Sequence, residues 1–252
     1  MFNMIQSENL KYKRTFSRKM LVLMPLLIAL FGIFLLRYFD PNAAVFSSYF
    51  SQSAINYWCI TIMPIGMALL ASLSAMKEKK SGQYRALKSK NVSISKMWIS
   101  KIIVISFYTL ITTILVMAVI IALYLYENKF IGNLSQMLIA YLVVWVTTLA
   151  LIPIYLFLAE LFGTFAAILA SIVGIIVNVF ISIKPMWFIW PWSWSARLMC
   201  PIVKVHPSGV LLEGVDPLLD PSVITLGMAI SIITFLVLSF LTAKWFAKRE
   251  VL

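Results

Sequence analysis

Side chains able to do chemistry are scarce in this chain, and the scarcity constrains what it does. The sole histidine, His206, is followed by Pro207 and reads as a solvated loop side chain. The two cysteines, Cys59 and Cys200, do not make a disulfide framework and read as unpaired thiols; a bridge would need both near one outer face. No Cys/His grouping has metal-ligand spacing, and H-E-x-x-H, a Ser–His–Asp set at membrane depth and G-x-x-x-x-G-K-[ST] are all absent. Carboxylates are equally sparse. Glu160, in "AELFGT", interrupts a long apolar run and is expected to be solvated at a turn, while Asn178, Thr147 and Thr148 read as interhelical hydrogen bonders. An ion-coupled carrier needs ionisable groups inside the membrane. Their near absence disfavours a carrier, as it disfavours an intramembrane protease. Energy for any transport must therefore come from outside the chain, and no cofactor is expected within it.

A second concentration of reactive surface is aromatic. "PMWFIWPWSWSARLMCP", from Pro185 to Pro201, holds Trp187, Trp190, Trp192 and Trp194, four of the eight tryptophans. Indoles favour the headgroup depth of a membrane, rings in the interface and N–H groups wet. Four in so short a stretch exceed what an anchoring belt needs.

The elements that carry these residues are membrane spans. Hydrophobic residues make up 62% of the chain, mean hydropathy is +0.96 and only 12% of residues are charged, about half the charged share of a soluble domain. Six spans fit the 252 residues, near 20–36, 55–76, 102–126, 137–158, 164–183 and 222–243. The run 137–183 is too long for one crossing and must fold back at "AELFGT". Pro64 and Gly66 are expected to bend the second span, and Pro153 lies within the fourth. Residues 1–19 interleave basic and apolar side chains, as an interfacial helix does. Residues 37–54 read as a polar loop, 77–101 as a basic loop with a short surface helix, and 184–221 as a long loop. The run 20–36 is long for a signal peptide and lacks a cleavage site, so it reads as a retained span.

Sixteen of the 21 Lys and Arg residues fall in 1–19, 77–101 and the tail, which puts both termini in the cytoplasm and the tryptophan segment outside. The net charge of +12 therefore reflects topology and contact with anionic lipid rather than nucleic-acid binding. The expected fold is an all-α polytopic bundle of six spans, N-in and C-in, in a single domain.

The first cytoplasmic loop adds a resemblance. Glu78, three residues, Gly82, then Leu87, Ser93 and Lys101 before the third span resemble the coupling-helix loop of type-2 ABC exporter permeases. The basic N-terminal helix is similar to that family's connecting helix. "SENLKYKRTFSRKM" and "WPWSWSARLMCPIVKVHPSGV" further resemble the E-type (MutE/EpiE-like) permease subunits of lantibiotic-immunity transporters. The resemblance implies that Glu78, Gly82, Tyr84, Arg85, Leu87 and Lys88 couple to a separate ATP-binding subunit, present in two copies, which binds ATP and Mg. It implies a second, related permease subunit and a place in the plasma membrane of a Gram-positive bacterium. Trp187, Trp190, Trp192, Trp194 and Arg197 would then meet an amphipathic cationic peptide at the outer leaflet. Glu213, Asp216 and Asp220 would attract that peptide or serve as ordinary loop solvation. Two other readings stay open: a permease for another amphiphile, such as a lipid or bacitracin-like antibiotic, and a stand-alone membrane immunity or sensor protein.

Overall fold

A chain this apolar satisfies its backbone N–H and C=O groups in lipid by coiling into helices. The computed structural model describes residues 1–13, 15–38, 46–80, 93–127 and 134–249. Helix α1 (Phe2–Tyr12) precedes α2 (Phe16–Tyr38), and α3 (Phe46–Tyr57) passes through a π-helical turn, Trp58–Ile62, into α4 (Met63–Lys80). Then come α5 (Ile94–Glu127), α6 (Leu134–Thr148), α7 (Leu151–Phe162), α8 (Thr164–Ile181), α9 (Ser193–Val203) and α10 (Ser222–Arg249), with short 3₁₀ turns at Pro185–Ile189 and Pro217–Leu219. Among the described residues the sole β pairing is one bridge, Val205 to Leu211.

Among the described residues four segments are long and apolar enough to cross a membrane: Gln52–Lys77, Ile94–Ala122, Thr164–Ile181 and Ser222–Lys248. The pair α6 and α7, bent by 40°, makes a fifth if counted as one span. The Gln52–Lys77 segment is central, 67% buried, whereas Thr164–Ile181 and Ser222–Lys248 are peripheral at 22% and 17%. Helix α4 packs on α7 and α8, α2 packs on α5, and α10 packs on α5, α6 and α7. Helix α2 buries Met20, Met24 and Ile28 and leaves Val22, Leu26, Leu30 and Ile33 exposed, an apolar outer face suited to lipid.

Each break has a local cause. Pro153 lacks an N–H, and its ring clashes with the carbonyl four residues back, that of Leu149. That is where α6 stops. Thr147 and Thr148 loosen the same turn by donating to the carbonyls of Val143 and Val144, both at 2.8 Å; they bond within their own helix, not between helices as expected. The reversal between α7 and α8 falls on Gly163, whose φ of 90° is a glycine conformation. Glu160, expected in solvent at this turn, is instead buried, because it continues the inward face of Ile152 and Leu156.

The helices also run further than the sequence pattern indicates. Residues 46–54, read as loop, are helical because "FSSYFSQSA" has no Gly or Pro and Ser53, Ala54 and Ile55 pack inward. Helix α5 begins at Ile94 rather than 102, since Met97, Trp98, Ile102 and Ile105 already form a buried stripe. Helix α10 continues past 243 because Ala243 and Phe246 are buried, Phe246 on α5; Trp98 lies 4.4 Å from the Phe246 ring and donates its Nε1–H to Thr242 Oγ1 at 3.0 Å. The largest correction concerns 184–221. Much of it is not loop but the buried helix α9 and its flanking turns.

Candidate functional site

The tryptophan segment is folded as a plug. Trp187, Trp192 and Trp194 are buried and Trp190 is half-buried, so these rings do not form the wet belt that their composition suggests. Three of their N–H groups are used internally. Trp190 Nε1 donates to Gly174 O at 3.2 Å, Trp192 Nε1 to Tyr155 Oη at 2.7 Å, and Trp194 Nε1 to Phe188 O at 2.9 Å. Such bonds are what allow an indole to be buried. Gly174 makes the seating possible, because a Cβ there would lie 2.4 Å from Trp192 Nε1.

Helix α9 is tied to its surroundings at both ends. Ser193 Oγ donates to the carbonyls of Trp187 and Trp190 before it. At its far end Gln136 of α6 and Gln52 of α3 donate to the carbonyls of Ile202 and Val203. These supply partners for terminal carbonyls that a helix leaves open. In the middle, Ser195 Oγ donates to Cys59 O at 3.3 Å. That carbonyl is open because Met63 N–H bonds Trp58 O across the π turn and Pro64 has no N–H to offer. Pro64 was expected to bend the span; it instead sustains a π turn that docks α9. Gly66 serves contact rather than bending, since Met24 of α2 occupies the space where its Cβ would be. Arg197 is buried, with Nη1 on Leu218 O at 2.7 Å and Nη2 on Pro217 O at 3.5 Å, tying α9 to the turn before α10.

Two of the three loop carboxylates are also structural. Asp216 accepts from Leu218 N–H at 2.8 Å. Asp220 accepts from Ser222 N–H at 2.9 Å and Ser222 Oγ at 2.7 Å, bonds that hold its carboxyl below the usual carboxylate range. His206 builds a tight turn with Ser208, its Nδ1 within 2.7 Å of Ser208 Oγ. Cys59 and Cys200 are both free and buried.

The opposite end carries a second assembly. Helix α1 lies against α5, with Tyr108 Oη donating to Asn9 Oδ1 at 2.9 Å and the Tyr12 and Tyr108 rings 4.8 Å apart. Lys77, at the end of the central span, donates to Lys11 O at 2.8 Å and Thr15 Oγ1 at 3.2 Å and lies 4.9 Å from the centre of the Tyr12 ring. Glu8, buried, pairs with Lys11 at 2.5 Å. The N-terminal helix is thus clamped to the two spans that bracket residues 81–92.

A family model described as ABC-2 family transporter protein matches residues 4–185, from α1 through α8. The chain belongs to the ABC-2 transporter family. It is therefore a multi-pass membrane subunit of an ABC transporter, a permease that partners an ATP-binding subunit rather than a catalytic chain. No curated protein and no solved structure matches it.

In this permease, Glu78 falls in the last turn of α4. Gly82, Tyr84, Arg85, Leu87 and Lys88 lie outside the described residues. The clamp of α1 on Lys77 and Tyr108 brings the N-terminal helix to the elements flanking them. The docking of α9 through Ser195, Gln52 and Gln136 was not anticipated. A proline in mid-span, which must strand a carbonyl, and two glutamines at the rims of apolar runs were the available signals.

Proposed function

We propose that this permease expels amphipathic, lantibiotic-type peptides from the outer leaflet, giving immunity to the cell that carries it. Counting α2 as a span gives six, and the Lys and Arg distribution then puts both termini and residues 77–101 in the cytoplasm. There a pair of ATP-binding subunits, holding ATP and Mg, would grip the segment from Glu78 to Lys88. A related permease subunit would complete the transporter in the plasma membrane of a Gram-positive bacterium.

The observation that carries the reading is the clamp of α1 onto Lys77 and α5. It ties α1 to the end of the central span and to α5, and the central span itself holds the plug through Cys59 O and Ser195. A displacement imposed on the cytoplasmic loop would reach the outer face along one continuous helix, Phe46–Lys80. The buried tryptophans would then act by seating and releasing the plug. Direct contact with cargo would fall to its exposed rim, Met186, Phe188 and Ile189, and to the half-buried Trp190.

The test is protection of cells expressing the permease with its ATP-binding subunit, challenged with a panel of lantibiotics, bacitracin and lipid-directed drugs. Protection confined to lantibiotics, lost in Gly82→Pro at normal expression, is the expected result. Protection against bacitracin alone would move the cargo to another amphiphile. Unchanged protection without the ATP-binding subunit would refute the account.

A further inference from the structure

A cleft of about 740 Å³ opens beside the plug, between one face of the central helix and the turn after α9. Ser53, Asn56, Tyr57, Ile60 and Thr61 line one wall, spaced as a single helical face. Pro207, Ser208, Gly209, Val210, Leu211 and Glu213 form the other wall, with Val179 of α8 at the side. The turn is held by His206 N–H on Val210 O at 2.8 Å and Gly209 N–H on His206 O at 2.7 Å. Gly209, at φ 90°, brings it close enough that a Cβ would sit 3.3 Å from Asn56 Nδ2.

Apart from Ser208, whose hydroxyl is engaged with His206, the polar side chains of this cleft's walls are unspent. Among the described residues, the side chains of Ser53, Asn56, Thr61 and Glu213 make no hydrogen bond or ion pair, although Ser53 is 8% exposed. Asp216 and Asp220 are committed to their turns, which leaves Glu213 as the carboxylate facing the space. Among the described residues no Lys or Arg lines it. Ile60, Val179, Val210 and Leu211, with the Tyr57 ring, make the apolar part of the lining. The volume lies in the range of small-ligand clefts.

We propose that this cleft binds a primary ammonium group carried on an apolar body, with Glu213 as its counter-charge and the oxygens of Ser53, Asn56 and Thr61 as acceptors. An ammonium has three donors and no acceptor, which matches a carboxylate ringed by hydroxyl and amide oxygens. The inference rests on the export reading for the source of that group, a lysine of an amphipathic peptide at the outer leaflet. An aminophospholipid headgroup carries the same chemistry.

The test uses the full chain in phosphatidylcholine nanodiscs, with Val215→Cys labelled by an environment-sensitive fluorophore. Val215 is fully exposed and the native cysteines are buried, so labelling is selective. Dodecylammonium, dodecanol and dodecyl sulfate are titrated in turn. Dodecylammonium should half-saturate the signal at a concentration roughly 10-fold below the other two, Glu213→Gln should remove that preference, and Glu213→Lys should transfer it to dodecyl sulfate. Equal binding of the alcohol, or an unaltered preference in Glu213→Gln, overturns the proposal. Saturation by phosphatidylethanolamine nanodiscs before any probe is added would assign the ammonium to lipid; persistence of the response would assign it to peptide. If the preference fails while cells remain protected against lantibiotics, the cleft is wrong and the export reading stands. If the preference holds in a chain that protects no cell, the reverse follows.

Discussion

Replacing Gly174 by alanine would test whether the plug is held by the indole of Trp192. The new Cβ would lie 2.4 Å from Trp192 Nε1 and Cε2 and 2.6 Å from Cδ1. Carbon contacts settle at about 3.5–4.0 Å, so the ring must retreat by about 1 Å. The 2.7 Å bond to Tyr155 Oη then breaks. Overpacking costs about 1–3 kcal/mol and the hydrogen bond about 1 kcal/mol. Removing a glycine from a helix interior returns about 1 kcal/mol. The balance is a loss of about 1–3 kcal/mol, a fall of roughly 3–10 °C in melting temperature at this size. Thermal unfolding of the purified chain in detergent measures it. Trp192→Ala removes all the colliding atoms, so adding Gly174→Ala to that variant should cost nothing or raise the melting temperature. A Gly174→Ala protein more stable than the parent would show that helix propensity governs the site and that the ring is not seated as described.

Other outcomes follow from single contacts. Ser195→Ala should lower stability by about 1–3 kcal/mol, since it strands the buried carbonyl of Cys59, while Ser195→Thr, which keeps the hydroxyl, should lose less; melting curves in detergent decide. Lys77→Met should retain the span yet release α1. Trypsin should then cut at Lys11 or Lys13 several-fold faster than in the parent, and equal rates would refute the clamp. Cys59 and Cys200 should resist maleimide in the folded chain and react once it is denatured, because both are buried; prompt labelling in the native state would contradict the packing of α9 on the π turn. Pro153→Ala should restore an N–H to Leu149 O and straighten the bend between α6 and α7, read as a longer interspin distance between labels on the two helices.

The helical architecture was legible because apolar runs this long have few alternatives in lipid, and the reversal at Gly163 was legible because the run 137–183 outreaches a bilayer. Helix ends were not. Serine-rich residues 46–54 carry weak local signals, and burial of Ser53, Ala54 and Ile55 decides their state. Tryptophan content marked 187–194 as special, but composition cannot tell a ring in the headgroups from one whose N–H is met by Tyr155. That difference depends on a glycine sixteen residues upstream of Trp190 and on a tyrosine in another helix. The cleft was least legible of all. Its walls come from residues 53–61 and 207–213, joined only by folding, and Glu213 stands out only once Asp216 and Asp220 are seen to be engaged.

The central claim is that the segment between α4 and α5 is the handle through which an ATP-binding subunit drives this permease. Photo-cross-linking from a benzoylphenylalanine placed at Tyr84 in intact cells tests it most directly. A single adduct with the ATP-binding subunit, strengthened when nucleotide is trapped, is the predicted result. Adducts with extracellular proteins, or a residue 84 that impermeant reagents modify from outside the cell, would contradict it.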